Sequence, residues 1–456
     1  MKLKIKEILK ICNGSLICGN ENVCIESYSK DTRTIKKGDC YVGIKGENFD
    51  GNKFWQDALA KGAAACILDS FEGHLDDDFE TPIILVEDTV VALQKLAAYL
   101  RSKINIPVIA VTGSVGKTST KDLIAAVLSQ KYKVLKSPGN LNGQIGLPLN
   151  ILSYHDEDVM VLEMGMNDFG QIKTLSKIAR PTISIITNIG TAHIGILGSR
   201  ENILKAKLEI LEGMEKDSPL IINNDDDLLN KLKLDNLIKC GITKEADYKA
   251  KNILVEPNKT VYDVVYKDKK INITLPLMGK IFAMNSLFAI ATGDILGLTI
   301  EQIKEGLENF NSSLAHFNII NLKNKITIID DTYNSNFEAL KNALQVLLKY
   351  PGKRHIAVLG DILEMNQFAK EIHEKIGNLD EIKKLDALFL AGENVKYIEE
   401  KAKNKGNLKN NLFYFSKKED LQETLKSYLT DGDVVLIKAS NGMKFSDVTN
   451  YIKLNI

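Results

Sequence analysis

The chain has 456 residues, with 59 basic and 59 acidic side chains that cancel to a formal net charge of zero, 44% hydrophobic and 26% charged content. That balance is ordinary for a globular protein in water and argues against a broad polyanion-binding surface, so no nucleic-acid partner is expected. The length exceeds what one hydrophobic core usually organises, which calls for two to three domains.

The opening Met1-Lys-Leu-Lys-Ile-Lys-Glu7 lacks the apolar centre of a signal peptide, and no window approaches the roughly 18 apolar residues of a membrane span. A cytoplasmic protein without membrane contact is expected. Six cysteines occur with no C-x-x-C pair, five of them within the first 66 residues, in a spacing that suits no zinc site. They read as reduced thiols.

In residues 1–86 short strands mix with loops: Tyr41–Ile44, Ala63–Leu68 and Ile83–Val86 read as strands and Phe54–Lys61 as a helix, giving a small N-terminal α/β domain. Val90–Leu100 reads as an amphipathic helix opening a central unit over 87–312. There the apolar strands Val108–Val111, Val159–Leu162, Ile183–Ile186 and Leu220–Ile222 alternate with helical periodicity. This predicts a doubly wound, mostly parallel sheet with ligands at the C-terminal strand ends. Lys249–Leu277 reads as an antiparallel insertion and Met284–Leu296 as a packed helix. Over 313–456 a second alternation, with strands Ile326–Ile329, Ile356–Leu359, Ala387–Ala391 and Val434–Ile437, predicts a C-terminal Rossmann-like α/β domain.

The most informative stretch joins the strand Val108–Val111 to a helix through Thr112-Gly-Ser-Val-Gly-Lys-Thr-Ser119. Gly113 and Gly116 let the backbone N–H groups of the loop, Ser114 and Ser119 included, turn around a phosphate, and the helix N-terminus adds partial positive charge. Lys117 can reach the outer phosphates of ATP, and Thr118 offers its hydroxyl to Mg²⁺. Val111 stands where the standard P-loop has its first glycine. A tight β–α turn needing glycines is the alternative, but it leaves the Lys-Thr pair without a reason.

Other strands end in polar residues that could converge there. Glu163 closes Val159–Glu163 and is suited to Mg²⁺, or to capping a turn. Asn188 and His193 follow the next strand; a lone histidine is more often structural than a ligand. Arginine is rare, at 33, 101, 180, 200 and 354 only, so these positions are candidates for bidentate anion contacts.

Together, Thr112–Thr118, Glu163-Met-Gly165, Asn188-Ile-Gly-Thr-Ala-His193 and Lys205-Ala-Lys-Leu-Glu-Ile210 resemble the central domain of the Mur ligases, ATP-dependent amide-bond-forming enzymes of bacterial cell-wall synthesis. Within the family, Asp31–Asp39, Gly46–Gly51, Asn140–Pro148, Asp331–Asn336 and Leu359–Glu364 are most similar to the last-acting member. The resemblance implies a ligase that adds D-alanyl-D-alanine to a UDP-N-acetylmuramoyl-tripeptide through an acyl phosphate, and a monomer is expected. Lys117 would hold the β- and γ-phosphates, and Thr118 and Glu163 would hold Mg²⁺, with His193 near a second metal position. Lys207 matches a lysine that several members carry as a carbamate; from the residues alone it is equally a solvated helix lysine. Asn285, Asp331, Tyr333 and Asn334 would contact the nucleotide, although an Asx-type turn would use the same letters. Thr32 and Arg33 would meet the uridine nucleotide, and Asn140, Asn142 and Gln144 the sugar-peptide. A surface salt bridge accounts for Arg33 as well, and a plain loop for the amides.

The chain departs from the family pattern at three positions. Gly279-Lys-Ile-Phe-Ala-Met-Asn285, with Phe282, stands where the family often has a His-Asn pair, and His316 and Asn441 stand where arginines are usual. Phe282 could stack on adenine. Two other readings stay open: a related ligase of the same fold using another amino acid or glutamate, and a nucleotide-switched regulatory NTPase.

Overall fold

The computed structural model describes residues 2–75, 79–311, 318–403 and 406–456. Period-2 and continuous apolar segments build three larger sheets. The N-terminal sheet has five strands in the order Ser15–Cys18, Ile83–Leu85, Ala65–Leu68, Cys40–Val42, Tyr28–Ser29; only the first pairing is antiparallel.

The central sheet has nine strands. From one edge they run Lys269–Leu275, Lys259–Tyr266, Tyr248–Glu256, Leu237–Gly241, Leu220–Asn223, Ile183–Ile186, Val108–Thr112, Val159–Glu163 and Val134–Lys136. The Tyr248–Glu256 strand joins Leu237–Gly241 in parallel, and the next two are antiparallel hairpin partners. The expected insertion is therefore an extension of the same sheet. Its inward Tyr262, Val264, Ile271 and Ile273 are fully or almost fully buried, because they continue the apolar face on which the helix Lys280–Ile295 lies. That helix is apolar around most of its circumference, as a helix enclosed on all sides must be.

Chain order places the switch of direction at Val108–Thr112. The strand before Val159–Glu163 lies on one side of it, and Ile183–Ile186 follows on the other. A crevice at the C-terminal strand ends results there, and the glycine loop sits in it. The helix Lys117–Leu128 packs so closely on Ile300–Glu308 that a Cβ on Gly306 would lie 2.6 Å from the Val127 Cα.

The C-terminal sheet has six strands, ordered Asn318–Asn321, Thr327–Asp330, Asp433–Lys438, Arg354–Gly360, Ala387–Ala391, Leu412–Phe415 and parallel except at the first pairing. The helix Thr89–Ser102, capped by Asp88 accepting the Val91 N–H at 2.9 Å, packs against both the N-terminal helix Ile5–Cys12 and the central helices Gly146–Leu152 and Gln171–Ala179. One apolar cluster extends from Leu3 through Leu93, Leu147 and Ile172 to Ile329 and Leu436. No helix among the described residues is long and apolar enough to cross a membrane.

Candidate active site

The glycine loop is held in shape before any ligand arrives. Gly113 has φ of 147°, and a Cβ there would lie 1.9 Å from Thr187 Oγ1, so no other residue fits. Asn188 braces the loop from the neighbouring strand: its Oδ1 accepts the Val115 N–H at 3.0 Å and its Nδ2 donates to Val115 O at 2.9 Å. Gly116, with φ of 83°, caps the helix Lys117–Leu128 without a side-chain acceptor, leaving the first helical N–H groups for a ligand.

Lys117 Nζ folds back to donate to Gly113 O at 3.0 Å. Burial pushes its ammonium below the ordinary range, and Glu163 acts in the opposite direction. Glu163 is 1% exposed at the end of its strand, which is paired with Val108–Thr112. Its carboxylate accepts from Thr118 Oγ1 at 2.9 Å and Asn142 Nδ2 at 2.7 Å. Behind it the buried Lys121 lies 3.9 Å away and donates to Ser137 O at 2.9 Å.

Lys207 is 2% exposed on the helix Arg200–Leu208, and its side chain has no hydrogen-bonding or ionic partner among the described residues. Burial, reinforced by the Lys117 ammonium, drives its pKa well down. His193 has a left-handed backbone, φ 62°, and its Nδ1 lies 3.0 Å from Glu364 Oε2 of the C-terminal half. Burial lowers its pKa, Glu364 opposes that, and Lys207 and Lys117 add to the lowering.

The opposite wall comes from the C-terminal sheet. Asp331 follows the strand Thr327–Asp330, where the parallel partner strand delivers Lys438; Lys438 Nζ lies 2.7 Å from Asp331 Oδ2 and donates to Asn334 O at 2.7 Å. Tyr333 is hydrogen-bonded to Asn140 across the cleft, and burial of its phenol raises its pKa. The cleft so enclosed has a volume of about 430 Å³. Ser114, Gly116, Lys117, Thr118, Ser119, Asn142, Glu163, His193, Lys207, Asn285, Asp331, Tyr333 and Asn334 all line it, together with Phe282 and Lys438. Asn285 packs on Gly116, and its buried Oδ1 has no protein partner, so an acceptor stands ready for a ligand's donor.

Other expected residues lie elsewhere. Gln144 donates to Gln171 O at 3.0 Å beside the cleft. Thr32 and Arg33 lie in the N-terminal domain, in the turn that follows the edge strand Tyr28–Ser29, where Arg33 is exposed and its guanidinium pairs with Asp31 at 2.7 Å. Asn441 opens a short exposed turn outside the cleft, and nothing in the structure explains its replacement of arginine. His316 falls outside the described residues. Among the described residues no arginine lines the cleft: Arg101 donates to Ala179 O, Arg200 to Ile189 O and Arg354 to Asp433. The lysines that line it are Lys117, Lys207 and Lys438. Lys438 escaped sequence reasoning because its partner is about a hundred residues away, and no local pattern announces the pairing.

A single carboxylate and a hydroxyl at hydrogen-bond distance form a hard-oxygen pair facing the space that Lys117 borders. That donor set fits Mg²⁺, which is commonly held by one or two carboxylates with the remaining positions left to water and phosphate oxygens. Among the described residues no cluster of three or more His, Cys, Asp and Glu side chains forms a self-sufficient metal cage.

Family models match in three blocks: the Mur ligase family catalytic domain over residues 25–101, the Mur ligase middle domain over 111–293, and the Mur ligase glutamate ligase domain over 317–441. The chain is 34% identical over 451 residues, 98% of both chains, to the UDP-N-acetylmuramoyl-tripeptide–D-alanyl-D-alanine ligase of Bacillus subtilis. It is 36% identical to the ligase of the same name from Synechocystis, over 98% of this chain and 96% of that one. Among solved structures, MurF from Acinetobacter baumannii superposes with a TM-score of 0.89 at 27% identity, over 100% of this chain and 99% of that one. MurF from Thermotoga maritima in complex with ADP gives 0.81 at 29% identity, over 94% and 97%. The chain belongs to the Mur ligase family.

Proposed function

We propose that this protein is an ATP-dependent ligase that joins D-alanyl-D-alanine to UDP-N-acetylmuramoyl-tripeptide in peptidoglycan precursor synthesis. The observation that carries the reading is the single cleft lined from both sides, phosphate loop and Glu163–Thr118 on one wall, Asp331, Tyr333 and Asn334 on the other. Full-length likeness to ligases of that name supports the choice of substrates.

Residues 1–86, 87–312 and 313–456 serve as the UDP-substrate, ATP and C-terminal closing domains. The loop N–H groups and Lys117 take the β- and γ-phosphates, Asn285 and the Asp331–Asn334 turn take the nucleoside, and the Asn140–Gln144 loop and the Thr32–Arg33 segment take the acceptor substrate. Glu163 and Thr118, with His193 and Lys207 at a second position, would hold Mg²⁺, which would supply neutralisation of the charge on the phosphates. A free Lys207 ammonium would repel the metal ion; as a carbamate it would be an anionic oxygen ligand, and the absence of a side-chain partner for it among the described residues supports this form.

The terminal carboxylate of the tripeptide attacks the γ-phosphorus, the bond to the bridging oxygen breaks and ADP departs. The amine of D-alanyl-D-alanine then attacks the acyl carbon, loses a proton, and inorganic phosphate leaves as the amide forms. The chain's contribution is to align two anions and an amine and to exclude water. A soluble, cytoplasmic enzyme follows from the ATP requirement, and the six cysteines, all unpaired, accord with a reducing compartment.

The test is a product assay. ADP and phosphate should appear only when UDP-tripeptide and D-alanyl-D-alanine are both present. Formation of AMP and pyrophosphate overturns the acyl-phosphate route, and ADP release with a different amino acid favours a sister ligase.

A further inference from the structure

The segment Thr187–Gly195 runs between the phosphate loop and the C-terminal half and is bonded to both. On the loop side Thr187 Oγ1 donates to Val115 O at 2.6 Å, and the Gly190 N–H donates to Ser114 Oγ at 2.9 Å. On the other side the Thr191 N–H and Oγ1 both donate to Glu338 Oε2, at 3.1 and 3.0 Å. A Cβ on Gly190 would lie 2.6 Å from the Glu338 carboxyl carbon, so this carboxylate is seated directly against backbone. Asn366 Nδ2 donates to Gly195 O at 3.0 Å a little further along. Glu338 itself stands in the first turn of the helix Phe337–Leu347, capped by Asn336, and Asp331, Tyr333 and Asn334 immediately precede that helix.

We propose that Glu338 is a positioning residue that makes the seating of the C-terminal wall depend on the state of the phosphate loop. This rests on reading the cleft as the ATP site. Ser114 and Gly190 are joined by one hydrogen bond, and Gly190 and Thr191 by one peptide bond. A Ser114 hydroxyl turned toward a bound phosphate therefore reaches the Glu338 carboxylate through three links, a hydrogen bond, a peptide bond and a second hydrogen bond, while the loop backbone stays in place. Two donors from one residue converging on one carboxylate oxygen fix that oxygen in more than one direction, as a single bond would not. The carboxylate then sets where the helix begins, and with it the turn that presents Asp331, Tyr333 and Asn334 to the nucleotide. Glu338 does not line the cleft, so its effect passes through Thr191 rather than through contact with substrate.

The experiment is a double-mutant cycle on the full chain with E338A, T191V and the double variant. It reads kcat, the KM values, ADP·Mg²⁺ affinity by calorimetry, and the radius of gyration by X-ray scattering with and without ADP·Mg²⁺. T191V removes only the hydroxyl donor at nearly constant volume, and it carries the test by itself if E338A does not fold. Wild type should bind ADP and contract. Each variant should bind ADP within about threefold of wild type, contract less, and lose about tenfold or more in kcat with KM for the UDP-tripeptide unchanged. The double variant should be no worse than the more damaged single variant, because both remove one interaction. Losses that multiply, or full contraction with full kcat, overturn the proposal while leaving the ATP site standing. A change in radius of gyration that is the same with and without ADP makes Glu338 a plain staple and also overturns it. Failure of wild type to bind ADP overturns the site reading, and this proposal with it.

Discussion

The phosphate loop and the Asp31–Arg33 segment of this molecule are built on opposite plans. The phosphate loop is enclosed: Gly113 admits no Cβ, Asn188 bonds both polar groups of Val115, and Glu163 is fixed by Thr118 and Asn142. The Asp31–Arg33 element is open, with an exposed guanidinium that currently satisfies itself on a carboxylate two residues away. A prebuilt site loses little entropy on binding and holds its groups in register for chemistry; an open one must exchange an internal partner for the ligand and serves recognition more than rate. Variants in the enclosed region should thus change kcat or stability, and variants in the open region only KM.

The largest effect is expected from Lys117→Ala. kcat should fall about 10³-fold with an unchanged circular dichroism spectrum, because the proposed ATP site loses the cation assigned to its outer phosphates. A rate within tenfold of wild type would break the comparison outright. Lys207→Ala should lower kcat roughly 10²-fold. Addition of a short carboxylic acid such as acetate should restore part of the rate if an anionic oxygen ligand is what is missing.

Lys438→Met tests the enclosed C-terminal wall. It leaves the Asp331 carboxylate buried without its cation, which should destabilise the protein by about 3–5 kcal/mol in denaturant titration. Arg33→Ala should leave the thermal midpoint where it is and raise KM for the UDP-tripeptide about tenfold at constant kcat.

The smallest effect is a titration. The Arg33 guanidinium and backbone N–H hold the Asp31 carboxyl down at about 2, below its ordinary 3.8. A depressed folded-state pKa gives stability that is present above the unfolded value and lost as pH falls through the folded one. Between about pH 4 and pH 2 the Asp31–Arg33 contact should therefore open in wild type, and in Arg33→Ala the Asp31 carboxyl resonance should move at higher pH.

Much of the enclosed region could be read from the sequence, since its signals are local. The strand, glycines, lysine and threonine of 108–118 lie in one continuous run, and Glu163 and His193 stand just past apolar strands. Less could be read where partners are distant. Lys438 and Asp331 meet because two strands far apart in the chain are neighbours, and Glu338 looks like any first-turn helix glutamate until Thr191 is seen beneath it. The strands Val134–Lys136 and Leu412–Phe415, at sheet edges, and Leu237–Gly241, inside the central sheet, escape the sequence because each carries few buried residues and weak periodicity. The antiparallel character of Lys249–Leu277 is legible in the sequence, but its place in the sheet is not. The parallel pairing of Cys240 with Tyr248 and of Gly241 with Lys249 reveals that the sheet continues.

The apolar cluster that threads from Leu3 to Leu436 has a practical consequence. Truncated versions cut at residue 86 or 102 would uncover one side of the helix Thr89–Ser102, which faces Ile5–Cys12 on one flank and Gly146–Leu152 on the other. Recombinant fragments of this enzyme should be sticky, and efforts to dissect it are better served by point variants than by scissors.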